Sequence, residues 1–129
     1  MNNGPGPLSP SEPAAQDPST SPSWIDFERA RELWPRDSTF RRCLAEFLRR
    51  EADCIATLRA QPTDQWVRRV HKLKGSAMVL ALTPTAEQAA QLEHALREGL
   101  PADTVWQHLE GLDQALSPAL ESIQTYLST

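Results

Sequence analysis

Lysine is scarce in this chain: of thirteen lysine and arginine side chains only two, Lys72 and Lys74, are lysine, and a single residue separates them. Acid is missing over the same stretch, because none occurs between Asp64 and Glu87 although the net charge is -4. The two scarcities coincide and make residues 68–74 locally positive. Other absences exclude whole classes. No window of about 18 apolar residues exists, so no membrane-spanning helix is expected. The N-terminus lacks the basic start and apolar run of a signal peptide, and the protein reads as cytoplasmic. No basic surface outside this one stretch is large enough to follow a nucleic-acid backbone. No glycine-rich phosphate loop or nucleotide-binding segment is present, which excludes a self-sufficient kinase. The only cysteines, Cys43 and Cys54, fall eleven apart on one expected helix. That places them about 16 Å apart along its axis, too far for a disulfide, and they read as reduced, core-lining thiols.

What is present is helical punctuation. Residues 1–23 hold six of the eleven prolines, two of the five glycines and no cation, a composition expected to stay disordered as a tail. Ser23 is expected to cap a short first helix, with Asp26 in capping-box position and Ile25, Leu33 and Trp34 as its apolar face, ended by Pro35. A second helix is predicted from about Asp37 to Ala60, burying Phe40, Leu44, Phe47, Leu48, Ile55 and Leu58. After Pro62, Thr63 or Asp64 caps a third. Thr83-Pro84 closes it and opens a fourth, with threonine at the N-cap and proline at N1. The fourth helix packs Ala86, Ala89, Leu92 and Leu96 and stops at Gly99, a left-handed C′ residue. The fifth begins near Asp103 and packs Val105, Leu109, Leu112, Leu116, Leu120, Ile123 and Leu127, with Pro118 expected to kink or split it. No segment alternates as a strand does. Residues 24–129 therefore read as one all-α domain, an antiparallel four-helix bundle with an additional short N-terminal helix.

The third helix carries the chemistry. Trp66, Val70, Leu73, Ala77 and Leu80 are spaced 4, 3, 4, 3 and form its buried stripe. His71 lies just off that stripe with Lys74, Gly75 and Met78, so its imidazole is expected in solvent. Glycine inside a helix costs about 0.5–1 kcal/mol relative to alanine, so Gly75 needs a reason beyond helix formation. Clearance for a partner beside His71 supplies one, and Met78 suits an exposed docking patch. His94 and His108 have no partner at metal-ligand spacing, and no metal site is expected. The Arg41-Arg42 and Arg49-Arg50 pairs read as solvated faces.

The run His71-Lys72-Leu73-Lys74-Gly75-Ser76-Ala77, followed by Leu80, resembles the signature of the histidine-containing phosphotransfer (HPt) domain family. The resemblance extends from about Trp24 to Leu127 and includes the Ile25-Asp26 opening and the Leu92-Glu93 pair. One departure is visible: the family usually has glycine where Ala81 stands. The resemblance implies that His71 accepts a phosphoryl group from the aspartyl phosphate of a receiver domain and passes it to another receiver aspartate. It also implies response-regulator receivers and a hybrid sensor kinase as partners. No resident cofactor is implied, since the receiver brings the magnesium ion. Lys74, and less directly Lys72 and Arg68, are the cations expected to meet the phosphoryl charge on His71. A monomer is expected. The alternative from a different class is a helical adaptor that binds a receiver or another protein through the same face without being phosphorylated.

Overall fold

The structure is a computed structural model and describes residues 23–129. Of the expected N-terminal tail only Ser23 falls inside the described residues. Six α-helices follow in order: α1 (Phe27–Leu33), α2 (Asp37–Glu51), α3 (Cys54–Arg59), α4 (Trp66–Val79), α5 (Thr83–Arg97) and α6 (Ala102–Leu127), with a 3-10 turn at Thr63–Gln65 leading into α4. No strand occurs among the described residues. α4 packs on α5, α5 on α6, and α6 returns to α2, so the long helices form an antiparallel bundle, and the residues on either side of α1, Asp26 and Trp34, bond to the C-terminal end of α4.

The core follows from period 3.6. In α4, Trp66, Val70, Leu73 and Ala77 are fully buried, and on α6 the buried positions Val105, Leu109, Leu112, Leu116, Ala119 and Ile123 keep the same 4–3 spacing. Each large side chain removed from water contributes about 1.5–3 kcal/mol. Trp66, the largest of them, also satisfies its indole N–H on the Gln61 carbonyl at 3.0 Å and meets the Trp106 ring edge-on at 5.2 Å.

Several sequence expectations are corrected in detail. The second helix is two helices, broken after Glu51, so Cys43 lies on α2 and Cys54 on α3; both thiols are free. The stripe still runs in phase across the break: Phe40, Leu44, Phe47, Glu51, Cys54 and Leu58 are buried, while Leu48 and Ile55 are half-buried. Burial pushes the Cys54 thiol up to about 11, and the neighbouring Glu51 carboxylate adds to it. Asp26, not Ser23, caps α1, accepting the Arg29 N–H at 3.1 Å, and Leu33 is exposed at 41 %. α4 has no side-chain cap, because the 3-10 turn continues into it. α5 starts one residue earlier than expected, with Thr83 as its first residue after Leu82. Pro118 does not split α6, although it removes one N–H from the ladder.

The two helix ends around α5 are built alike. Gly99 has φ +67°, and the N–H groups of Gly99 and Leu100 reach back to Leu96 and Ala95 at 3.2 and 3.1 Å, which is a Schellman closure. At the end of α4 the same bonds run from Ala81 to Met78 and from Leu82 to Ala77, at 3.2 and 2.8 Å, and Ala81 takes the left-handed φ of 61°. Two further carbonyls of this end are bonded by the N-terminal segment: the Trp34 indole donates to Val79 O at 2.7 Å and the Asp26 N–H donates to Ala81 O at 2.8 Å.

An alanine in that conformation costs about 1 kcal/mol, whereas its buried methyl contributes about 0.8 kcal/mol. Ala81→Gly is therefore expected to leave thermal stability nearly unchanged, and Ala81→Val to lower it by more than about 1 kcal/mol, because a β-branched residue is a genuine outlier at positive φ. A glycine variant that melts several degrees higher would show that the methyl contributes nothing to the core.

Candidate functional site

The solvent face of α4 is a stripe of six residues, Arg68, His71, Lys72, Gly75, Met78 and Val79, all exposed. Its N-terminal half is cationic and its C-terminal half apolar, with Met78 and Val79 exposed at 57 % and 52 %. His71 lies between the halves. All six site residues expected from sequence lie on α4, and five of them lie on this stripe; the sixth, Lys74, is turned toward α5.

The residue that organises the imidazole comes from the neighbouring helix. Glu93 on α5 is buried at 5 %, and its Oε2 is 2.8 Å from His71 Nδ1. The same oxygen accepts from Arg97 Nε and Nη2 at 2.9 and 2.8 Å, while Oε1 pairs with Lys74 Nζ at 2.7 Å. Its hydrogen bond from Lys74, followed by those from Arg97 and His71, outweighs burial and holds the Glu93 carboxyl at about 2. Glu93 is thus an ionised, acceptor-only partner. A neutral His71 can meet it only with the proton on Nδ1, which leaves the Nε2 lone pair free on a side chain that is 58 % exposed.

This arrangement corrects the picture of an isolated positive field. The stretch holds no acid of its own, but a carboxylate reaches it from α5. Lys74, expected as a free cation over the imidazole, is paired with that carboxylate, whereas Arg68 and Lys72 make no ion pair among the described residues. Gly75 has open space where a Cβ would stand, with no atom within 4 Å, so no neighbouring helix requires the glycine. Ser76 Oγ accepts from Arg50 Nη2 at 3.2 Å, which ties α4 to α2. Arg50 is thereby more than a solvated face.

A second buried acid stands on the other side of α4. Glu51, 3 % exposed, accepts from Arg69 Nη2 at 3.1 Å and Arg50 Nε at 3.3 Å. Sequence reasoning missed the roles of both Glu93 and Glu51. The available signal was their register: Glu93 shares the stripe of Ala89, Leu92 and Leu96, and Glu51 shares that of Leu44, Phe47 and Leu58. A carboxylate at a core position demands buried partners.

Three open depressions lie along α4, and His71 lines the first of them. One of about 620 Å³ is lined by Asp64, Gln65, Val67, Arg68, His71 and Arg97. On the Met78 side another, of about 280 Å³, includes Lys74, Ala86 and Ala90. A third, of about 330 Å³, lies along Gly75, Ser76 and Val79 against Trp34 and Cys43. No group of three or more metal-ligating side chains occurs among the described residues.

The site is a helical bundle that presents one oriented imidazole between a cationic and an apolar surface. The Hpt domain family model matches residues 42–125, more than half of the chain, and the chain belongs to that family. Membership implies histidine phosphotransfer in two-component signalling. No curated protein and no solved structure matches the chain. No helix among the described residues is long and apolar enough to cross a membrane.

Two expectations follow from this geometry. Gly75→Ala adds a methyl into open space and removes helix-interior glycine, so it should stabilise the fold by about 0.5–1 kcal/mol in urea unfolding; a loss instead would reveal a packing role. Glu93 has a carboxyl depressed from 4.5 to about 2, so its stabilisation is complete above pH 4.5 and is lost as pH falls toward 2. Glu93→Gln should flatten the stability profile across that window, and an unchanged acid limb relative to the parent protein would contradict the ion-paired assignment.

Proposed function

We propose that this protein is a phosphorelay intermediate in which His71 accepts a phosphoryl group from a receiver-domain aspartyl phosphate and delivers it to the aspartate of another receiver. The observation that carries the reading is the contact of His71 Nδ1 with the buried Glu93 carboxylate, which leaves Nε2 as an exposed nucleophile of fixed tautomer. Nε2 attacks phosphorus, the Nε2–P bond forms, and the P–O bond to the partner aspartate breaks, with the electron pair leaving on the aspartate carboxylate. The proton on Nδ1 stays where it is. Positive charge that develops on the ring is met by Glu93, so the carboxylate stabilises the transferring state more than the resting neutral ring. Delivery is the reverse sequence. Phosphoryl transfer is mostly positioning plus electrostatics, and the receiver supplies the metal and the acidic pocket, so this chain provides half of an active site.

The other side chains support the same exchange. Gly75 keeps space open beside the ring, Met78 and Val79 give the partner an apolar footing, and Lys72 and Arg68, which make no ion pair among the described residues, offer cations to the incoming phosphoryl group. Lys74 acts through Glu93, holding its carboxylate in place with Arg97. An adaptor with no phosphoryl chemistry would need none of this support for the imidazole.

Incubation with a phosphorylated receiver should place acid-labile, base-stable phosphate on the protein, and His71→Gln should fold and accept none. Glu93→Gln should slow transfer about tenfold, the rate equivalent of losing about 1.4 kcal/mol of charge-assisted hydrogen bonding. Undiminished labelling of His71→Gln would remove the proposal. A parent protein that binds the receiver yet takes no label would leave the adaptor reading.

A further inference from the structure

The cations around His71 are divided between two sides. Lys74 lies with Met78, Ala86 and Ala90 and is committed to Glu93 Oε1 at 2.7 Å. On the opposite side, the depression of about 620 Å³ is lined by His71, Arg68 and Arg97 together. Arg68 stands one helical turn before His71, at the i,i+3 spacing that makes helix residues neighbours. It is exposed and makes no ion pair among the described residues. Arg97 uses Nε and Nη2 on Glu93 Oε2, the oxygen that also receives His71 Nδ1, and its remaining nitrogen, Nη1, has no protein partner among the described residues. Two guanidinium groups from different helices thus flank the space beside the imidazole. Arginine is suited to phosphate because its planar donors match the phosphoryl oxygens. The one acid of the depression is Asp64.

We propose that this notch between α4 and α5 is a phosphate-binding subsite, in which Arg68 and Arg97, rather than Lys74, hold the phosphoryl group carried on His71. The proposal rests on the phosphotransfer reading for its biological use, but the subsite itself is a property of the unphosphorylated protein. It assigns the two sides of His71 different tasks: the Met78 side holds the protein partner, and the Arg68 side holds the phosphoryl oxygens. It also predicts a measurable opposition within one cavity, since Asp64 repels the charge that Arg68 attracts.

The test begins with phosphohistidine lifetime after labelling by a phosphorylated receiver and removal of that receiver. Arg68→Gln should shorten the half-life about three- to tenfold, Lys72→Gln by less than about twofold, and Asp64→Asn should lengthen it. Both arginine and aspartate substitutions fall on exposed positions, so folding is unaffected and the opposite signs cannot arise from a common loss of stability. Unchanged half-lives in Arg68→Gln, or a larger effect from Lys72→Gln, would overturn the subsite while leaving the phosphotransfer reading intact. Should no receiver label the protein, that reading fails and inorganic phosphate decides the subsite alone. Titrated into the unphosphorylated protein, phosphate should then shift the side-chain NMR signals of Arg68 and Arg97 together, and the Arg68→Gln variant should lose the response. Phosphate that moves Lys74 instead, or moves none of these signals, would sink the subsite.

Discussion

Glu93 is a carboxylate placed where the bundle should have an apolar side chain, and its burial forces the rest of the site into position. A carboxylate in such surroundings is costly unless it is paired and hydrogen-bonded on both oxygens. Lys74 satisfies Oε1, and Arg97 with His71 satisfies Oε2, at distances of 2.7 to 2.9 Å. The imidazole is therefore not merely displayed on a helix. It completes the solvation of a buried anion, and that requirement selects its tautomer. Such pairs add little net stability compared with an apolar replacement, so what Glu93 contributes is orientation.

The same device appears again on the far side of α4. Glu51 on α2 takes Arg69 from α4, as Glu93 on α5 takes Lys74. Helix α4 thus projects one cation to each flanking helix and keeps its remaining cations, Arg68 and Lys72, for solvent. The two ion pairs restrict rotation of α4 about its axis, which its apolar stripe of Val70, Leu73 and Ala77 restrains only through packing. The transfer proposed at His71, which depends on near-contact geometry, would draw on both restraints.

The bundle was legible in the sequence because it rests on local signals. The 4–3 spacing in α4 and α6, the proline boundaries and the left-handed position of Gly99 each act within a few residues, and they placed α1, α4, α5 and α6. Failures came where a distant group decides the outcome. The break after Glu51 left no trace in the pattern, because the helical phase of Phe40 to Leu58 continues across it unchanged; the partner that Glu51 takes at that point, Arg69, lies eighteen residues on, on another helix. The exposed stripe of α4 was readable from period alone. Whether Lys74 was free or paired was not, since its partner sits on α5 nineteen residues on, in a segment that a helix-by-helix reading treats separately. An acid in register with Ala89, Leu92 and Leu96, standing in the Leu92-Glu93 pair of the family resemblance, was the clue that a helix-by-helix reading passed over.

The polarity of the exposed stripe gives the proposed exchange a direction in space. In the proposed exchange the aspartyl phosphate is an anionic group, and the end of α4 where Arg68 and Lys72 make no ion pair among the described residues is the end that would draw it. The apolar end, with Met78 and Val79, offers contact that depends on area rather than charge. Registration between them falls at His71. Because Val79 and Ala81 carbonyls are already bonded by Trp34 and Asp26, the apolar end of α4 is closed by its own chain and need not fray to make room. A partner can then press against a surface that is finished on the protein side, and the entropy of ordering α4 has been met in folding rather than at each encounter.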